Sequence, residues 1–186
     1  MAQEDKIKWN KKHTHSKITP EPLELITRYS ALSKGKKALD IACGLGRHSK
    51  YLASNGFEVD ALDISNVAIE SLQNIENINA QEVDFDSYTL LRNQYDLVIC
   101  TYFLDRNIFH QIHSALNDRG LVIVETFLYH KENERKSSNE AYLLKEGELL
   151  EIFSQQFEIL YLKEYWGEDY EGNKTMKVSF VGKKEF

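Results

Sequence analysis

Two cysteines, Cys43 and Cys100, are too few for a disulfide framework and suit a reducing compartment. No apolar run approaches the ~20 residues needed to span a bilayer. The opening segment, Met1 to Lys12, is charged throughout and lacks the apolar stretch of a secretory signal. These absences set the expectation of a cytoplasmic protein with no membrane partner. Basic charge is not in excess either: 23 Lys and Arg against 29 Asp and Glu leave a net charge of -6. That balance argues against nucleic acid as a partner, because phosphates reward a broad basic face. The local cluster Lys6, Lys8, Lys11, Lys12 and Lys17 reads as a solvated helix surface. No internal repeat or low-complexity tract divides the chain. Its 186 residues suit one domain, 1–186, that buries about 70% of its unfolded surface.

What is present is concentrated in residues 38–63. The apolar run Ala38-Leu39 through Ile41-Ala42 reads as a buried strand ending at a Gly44-Leu45-Gly46 turn. A helix follows, with Tyr51, Leu52 and Ala53 as its apolar side and Gly56 as its stop. Phe57, Val59, Ala61 and Leu62 then form a second strand that ends at Asp63. This strand, glycine turn, helix, strand unit cradles nucleotide-bearing ligands: glycines let the backbone approach, and an acid at the second strand tip accepts ribose hydroxyls. Two ligand classes fit the frame. A nicotinamide dinucleotide wants a third glycine where this chain has Ser49, and its pyrophosphate would be repelled by Asp40, four residues before Gly44. S-adenosylmethionine carries an ammonium and a sulfonium and no phosphate, so Asp40 favours it.

The alternation continues downstream. Val67, Ala68, Ile69, Leu72 and Ile75 lie at helical spacing after Ser65, a suitable cap, and a third strand near Ala80–Val83 ends at Asp84-Phe85. Phe85 can flank an adenine whose amino group meets Asp84. Tyr95–Cys100 reads as a fourth strand, Ile108 to Leu116 as a helix, and Asn117-Asp118-Arg119-Gly120 as a turn into a fifth strand, Leu121–Glu125. Tyr129–Asn139 has no apolar period and reads as a loop beside the strand tips. Glu146–Phe153 reads as helix, and strands near Phe157–Tyr165 and Lys174–Gly182 as a terminal antiparallel pair. The expected class is α/β with a mostly parallel, doubly wound sheet.

On Asp40 to Gly46 with Asp63, the chain resembles the class I S-adenosylmethionine-dependent methyltransferases. Tyr102-Phe103-Leu104-Asp105-Arg106, Glu125-Thr126-Phe127, Ser137-Ser138-Asn139 and Tyr142 to Leu150 make it similar to small bacterial members of the tellurite-resistance and thiopurine methyltransferase group. Asp105 and Asn107 stand where similar chains carry histidine and proline. The resemblance implies a Rossmann-like sheet of seven strands, six parallel and one reversed, with residues 1–30 forming a helical lid that carries Trp9 over the cofactor. Cofactor-binding expectations fall on Asp40, Ala42, Gly44, Gly46, Asp63, Ile64, Asp84, Phe85 and Cys100.

The implied reaction is a direct displacement, in which alignment supplies about 7–11 kcal/mol and a general base adds only about 10²- to 10⁴-fold. Glu125 and Asp105 are the candidate bases, with His110 and His130 nearby. His110 and His113 have helical spacing for a metal but no third ligand, so no metal is expected; His13 and His15 read as exposed. Nucleic-acid amino-methyltransferases of this fold carry an Asn- or Asp-Pro-Pro-aromatic turn after the fourth strand, whereas this chain has Cys100-Thr101-Tyr102-Phe103. A small-molecule acceptor is therefore expected, bound by Trp9, Tyr102, Arg106, Phe127, Arg135, Asn139 and Tyr142, with the protein a monomer or homodimer. The competing readings are a nicotinamide-linked oxidoreductase, a non-catalytic S-adenosylmethionine-binding module, and methylation of RNA or protein.

Overall fold

The structure, a computed structural model, describes residues 2–15, 20–134 and 142–185. In chain order its elements are α1 (Ala2–Thr14), α2 (Glu24–Ser30), β1 (Lys37–Ile41), α3 (Arg47–Ser54), β2 (Glu58–Asp63), α4 (Asn66–Glu70) and β3 (Ile78–Glu82). They continue with β4 (Tyr95–Thr101), α5 (Arg106–Ala115), β5 (Leu116–Phe127), α6 (Glu148–Phe153), β6 (Phe157–Glu168) and β7 (Lys174–Lys184).

The strands form one sheet in the order β3-β2-β1-β4-β5-β7-β6. Pairings β1 to β2, β1 to β4, β2 to β3 and β4 to β5 are parallel, and β7 is antiparallel to both β5 and β6. Six strands thus run one way and β7 runs the other, as expected from the sequence. The order reverses between β1 and β4, and in open sheets of this kind ligands bind beyond the carboxyl ends of the strands at that reversal.

Central strands are apolar on both faces because helices cover both. Leu97 and Ile99 of β4 join Leu52, Ile26 and Leu72 on one side. Val98 and Cys100, the alternate residues, join Phe109, Ile112 and Phe153 on the other. The exposed, charged residues of β6 fit an edge strand that resists further pairing.

Three local expectations change. Asn117–Gly120 is not a separate turn: it lies within β5, whose register with β4 shifts between Tyr95 and Leu97 while Arg119 takes φ 62°. An irregularity of this kind keeps pairing on both sides of a kink. The helix after Ser65 is one short turn, Asn66–Glu70, because Asn74 and Asn77, both at φ 63°, redirect the chain. Of the expected loop at Tyr129–Asn139, the described part is anchored by buried Asn133, which donates to Leu128 O (2.9 Å) and accepts from Met176 N (2.8 Å).

Asp60 ties four strands together. Its carboxylate accepts from Lys37 Nζ, Asn79 Nδ2 and Tyr95 Oη, each at 3.0 Å. Burial and the adjacent carboxylate push the Tyr95 phenol well above its usual range, so it remains a donor. Replacing Tyr95 by Phe leaves a largely buried carboxylate short of one donor, and urea denaturation should show a loss of about 1–3 kcal/mol; an unchanged midpoint would contradict the assignment.

Candidate active site

The turn after β1 is built from residues in the left-handed region: Ala42 and Gly44 at φ 54° and Gly46 at φ 73°. At Gly46 a Cβ would lie 2.4 Å from Leu72 Cδ2, so glycine is required for packing as well as for conformation. The turn is held by Asp63, at the tip of β2. Its Oδ2 accepts from Gly44 N and its Oδ1 from Ser65 N, both at 2.8 Å. Ser65 in turn caps α4, accepting from Ala68 N at 3.2 Å.

Asp40 lies on β1 behind this turn with 1% of its surface exposed. Burial pushes its carboxyl up to about 7, the Ser49 hydrogen bond opposes that rise, and the nearby Asp63 charge adds to it. The Ser49 hydroxyl donates to Asp40 Oδ2 at 2.6 Å. At the position where a dinucleotide fingerprint has its third glycine, this chain therefore carries a dedicated partner for Asp40. A hydroxyl at the third residue of α3, pointing at β1, is the local signal of this pairing.

Helix α1 covers the turn. Lys6 pairs with Glu82, Asn10 Nδ2 donates to Asn66 Oδ1 at 2.7 Å, and Asn10 Oδ1 accepts from Ser65 Oγ at 2.7 Å. So docked, α1 lays His13 on Gly44: His13 Cε1 stands 3.2 Å from where a Gly44 Cβ would be. Trp9 stacks on His13 with ring centroids 5.7 Å apart. His13 is not exposed, as its sequence context suggested, but 8% exposed, and its Nδ1 has no hydrogen-bond partner among the described residues. Burial lowers its pKa, with Asp63 opposing and Lys12 assisting. A tertiary contact across the motif made this residue important, and helical periodicity within α1 carries no trace of it.

Just beyond the end of β3, Val83 N donates to Asp63 O (2.9 Å), bringing Asp84 and Phe85 next to Asp63 and Ile64. Asp84 Oδ1 accepts from Asp86 N at 3.0 Å. Phe85 is buried against Phe103 and Tyr88. Cys100 is fully buried with its Sγ 3.6 Å from Phe103 O, and burial pushes both cysteine thiols above their usual range, so neither is a nucleophile.

Around the tips of β4 and β5 a second polar centre forms. Tyr102, at φ 56°, donates from its hydroxyl to Glu125 Oε1 at 2.5 Å, and Ser179 Oγ donates to Glu125 Oε2 at 2.7 Å. Lys177 Nζ donates to the Tyr102 hydroxyl (3.2 Å), and Tyr102 packs on Phe127 with ring centroids 5.0 Å apart. Glu125 thus orients two hydroxyls. Asp105 caps α5 by accepting from Ile108 N at 3.0 Å. Arg106 makes a two-pronged pair with Glu148 (2.5 and 3.0 Å) and donates to Leu143 O (3.2 Å), tying α5 to α6. Tyr142 is 56% exposed, His110 is exposed, and His130 lies edge-on to Trp166. Asn139 and Arg135 fall outside the described residues. Buried His48, held near 3 by desolvation, links Leu23 N and Thr101 Oγ1 at 3.4 Å each.

This sheet order, with two buried carboxylates around a glycine turn at the strand reversal, defines an α/β fold for a nucleotide-bearing ligand of positive charge. The family model described as "Methyltransferase domain" matches residues 13–164, and the chain belongs to that family, as a class I S-adenosylmethionine-dependent methyltransferase. Ribosomal protein L11 methyltransferase of Campylobacter concisus is 29% identical over 145 residues, 74% of this chain and 49% of that protein. Ubiquinone biosynthesis O-methyltransferase of Coxiella burnetii is 33% identical over 93 residues, 47% of this chain and 39% of that protein. The chain spans less than half the length of these curated relatives. In structure it is similar to TehB from Haemophilus influenzae, with a TM-score of 0.78, 22% identity, and coverage of 95% of this chain and 67% of that one.

Changing Ser49 to Ala removes a hydrogen bond that favours the ionised form of Asp40. Carboxyl carbon NMR should place the wild-type Asp40 midpoint near 7 and move it higher in S49A. A wild-type midpoint near 4 would contradict the buried setting of this carboxyl.

Proposed function

We propose that the chain transfers a methyl group from S-adenosylmethionine to a small-molecule nucleophile. The observation that carries this reading is the pair of buried carboxylates, Asp40 and Asp63, on either side of the Gly44 turn. A pyrophosphate there would meet two negative groups, whereas an ammonium and a sulfonium would relieve them. The raised Asp40 is the group that gains most from a cationic ligand.

The residues present fit the cofactor. Each Asp63 oxygen uses one lone pair on a backbone N–H and keeps another for a ribose hydroxyl. Gly44 leaves the backbone bare, with Ala42 and Gly46 shaping the approach. Asp84, Phe85 and Ile64 stand at the adenine side, and the Cys100 backbone lies on the adjoining strand. His13, whose buried Nδ1 has no hydrogen-bond partner among the described residues, and Trp9 close the site from above, so α1 serves as a cover on a single domain. When bound, the cofactor would supply a methyl carbon on positively charged sulfur; an acceptor lone pair would form the new bond to that carbon in line as the carbon–sulfur bond breaks, the neutral thioether would leave with the bonding electrons, and the acceptor's proton would pass to solvent. The protein's own task is positioning, worth about 7–11 kcal/mol, with water excluded by α1. Tyr102, Phe127 and Glu125 are placed to hold the acceptor, and the acidic surface supports a small acceptor over RNA.

Calorimetry with S-adenosylhomocysteine tests the cofactor. A bound ammonium pairs with ionised Asp40, so below about pH 7 the ligand must expel a proton; affinity should fall about tenfold per pH unit on acidification and level off above 7. Asp40→Asn should flatten that profile, and Asp63→Ala should weaken binding by about tenfold or more. Saturable NADH binding with no response to S-adenosylhomocysteine would reject the reading. Labelled methyl donor incubated with a metabolite extract should mark a small molecule; label found in protein or RNA alone would reject the small acceptor.

A further inference from the structure

Between α2 and the ends of β5, β6 and β7 lies a cavity of about 390 Å³ that the cofactor-binding residues do not line. Tyr102 forms the wall it shares with the turn. Tyr102 directly follows β4, whose Cys100 pairs with Ile41 at the end of β1, just before the turn. Arg47, the first residue of α3, lies over the Tyr102 ring at 5.8 Å. A molecule in this cavity therefore borders the methyl-donor site.

The lining has a definite chemistry. Tyr102, Tyr161 and Tyr165 supply flat faces, and Arg28, Lys163 and Lys177 supply positive charge. None of these three cations lies within 4.0 Å of a carboxylate among the described residues. Arg28 and Lys163 are exposed at the rim, while Lys177 is half-buried between the Tyr102 and Phe127 rings, 5.1 and 5.8 Å from their centroids. Of the two lining carboxylates, Glu125 already accepts from Tyr102 and Ser179, and Glu24 is exposed on α2. Burial lowers the Lys177 pKa against the pull of Glu125, so an incoming anion would favour its charged form. Tyr102 is held in the left-handed region by Glu125 on both its backbone, N to O at 2.7 Å, and its hydroxyl, and local strain of this kind concentrates at binding sites.

We propose that this cavity is the acceptor subsite and that it takes a flat aromatic molecule bearing an anionic group. The ring packs among the tyrosines, and the anion faces Lys177, Lys163 and Arg28. Arg106, which the sequence suggested for the acceptor, pairs with Glu148 instead. The proposal rests on the methyl-transfer reading above.

The test titrates a panel of hydroxybenzoates and their uncharged methyl esters into protein saturated with S-adenosylhomocysteine. Charge-assisted contacts worth about 1.5–3 kcal/mol predict that at least one carboxylate binds about tenfold or more tighter than its ester. Lys163→Gln with Lys177→Gln should erase that preference while S-adenosylhomocysteine affinity changes less than about twofold. Lys163 is exposed, so Lys163→Gln alone keeps the fold and should still reduce the preference severalfold. Equal affinity for acid and ester, no binding of any panel member, or an undiminished preference in the variants would overturn the proposal. Failure of the wild type to bind S-adenosylhomocysteine would instead overturn the methyl-transfer reading.

Discussion

The glycine turn at the sheet's strand reversal depends on one carboxylate. Asp63 accepts from Gly44 N and Ser65 N together, and so joins the turn after β1, the tip of β2 and the start of α4 in a single clamp. Charge-assisted bonds to backbone N–H groups are roughly twice as strong as neutral ones, which suits a group that must hold three segments at once. Ser65, once positioned, donates its hydroxyl to Asn10 Oδ1 and accepts on the same oxygen from Ala68 N of the helix it caps, so the seating of α1 follows from the same clamp. His13 reaches Gly44 only because α1 sits there.

The electrostatics around Asp40 support the proposed cationic ligand. Asp40 and Asp63 are close enough for the charge of one to oppose ionisation of the other, and burial of Asp40 adds the larger share of the cost. Ser49 offsets part of that cost without removing it. A protein that stores an unfavourable buried carboxyl gains it back when a positive ligand arrives, and this explains why an acid stands beside a turn otherwise suited to phosphates. The second polar centre obeys the same logic with opposite sign: Glu125 is satisfied by the hydroxyls of Tyr102, just after β4, and Ser179 of β7, leaving Lys177, Lys163 and Arg28 to face the cavity.

The parallel β/α alternation, the terminal antiparallel pair and the grouping of Asp40, Gly44, Gly46 and Asp63 about one turn were legible in the chain, because apolar runs and glycine spacing are local signals; the seven-stranded sheet with one reversed strand came from the family resemblance. Less was legible about Glu125, Arg106 and His13. Glu125 and Arg106 looked alike as charged residues at strand and helix ends, and only their partners separate them: two hydroxyls for one, Glu148 for the other. The irregular start of β5 was hidden for a related reason, since Asn-Asp-Arg-Gly favours a turn locally while pairing with β4 recruits the same residues to the strand.

The sequence by itself determined the alternation of strands and helices, the glycine turn and the acidic residues that mark a sulfonium-bearing ligand. These depend on the 2.0 and 3.6 residue periods and on backbone conformations open chiefly to glycine. Tertiary structure alone decided that Ser49 serves Asp40, that α1 buries His13 on Gly44, and that tyrosines and cations from α2, β4, β6 and β7 enclose one cavity. Burial and hydrogen bonding between segments distant in the chain are set by packing, and no local pattern encodes them.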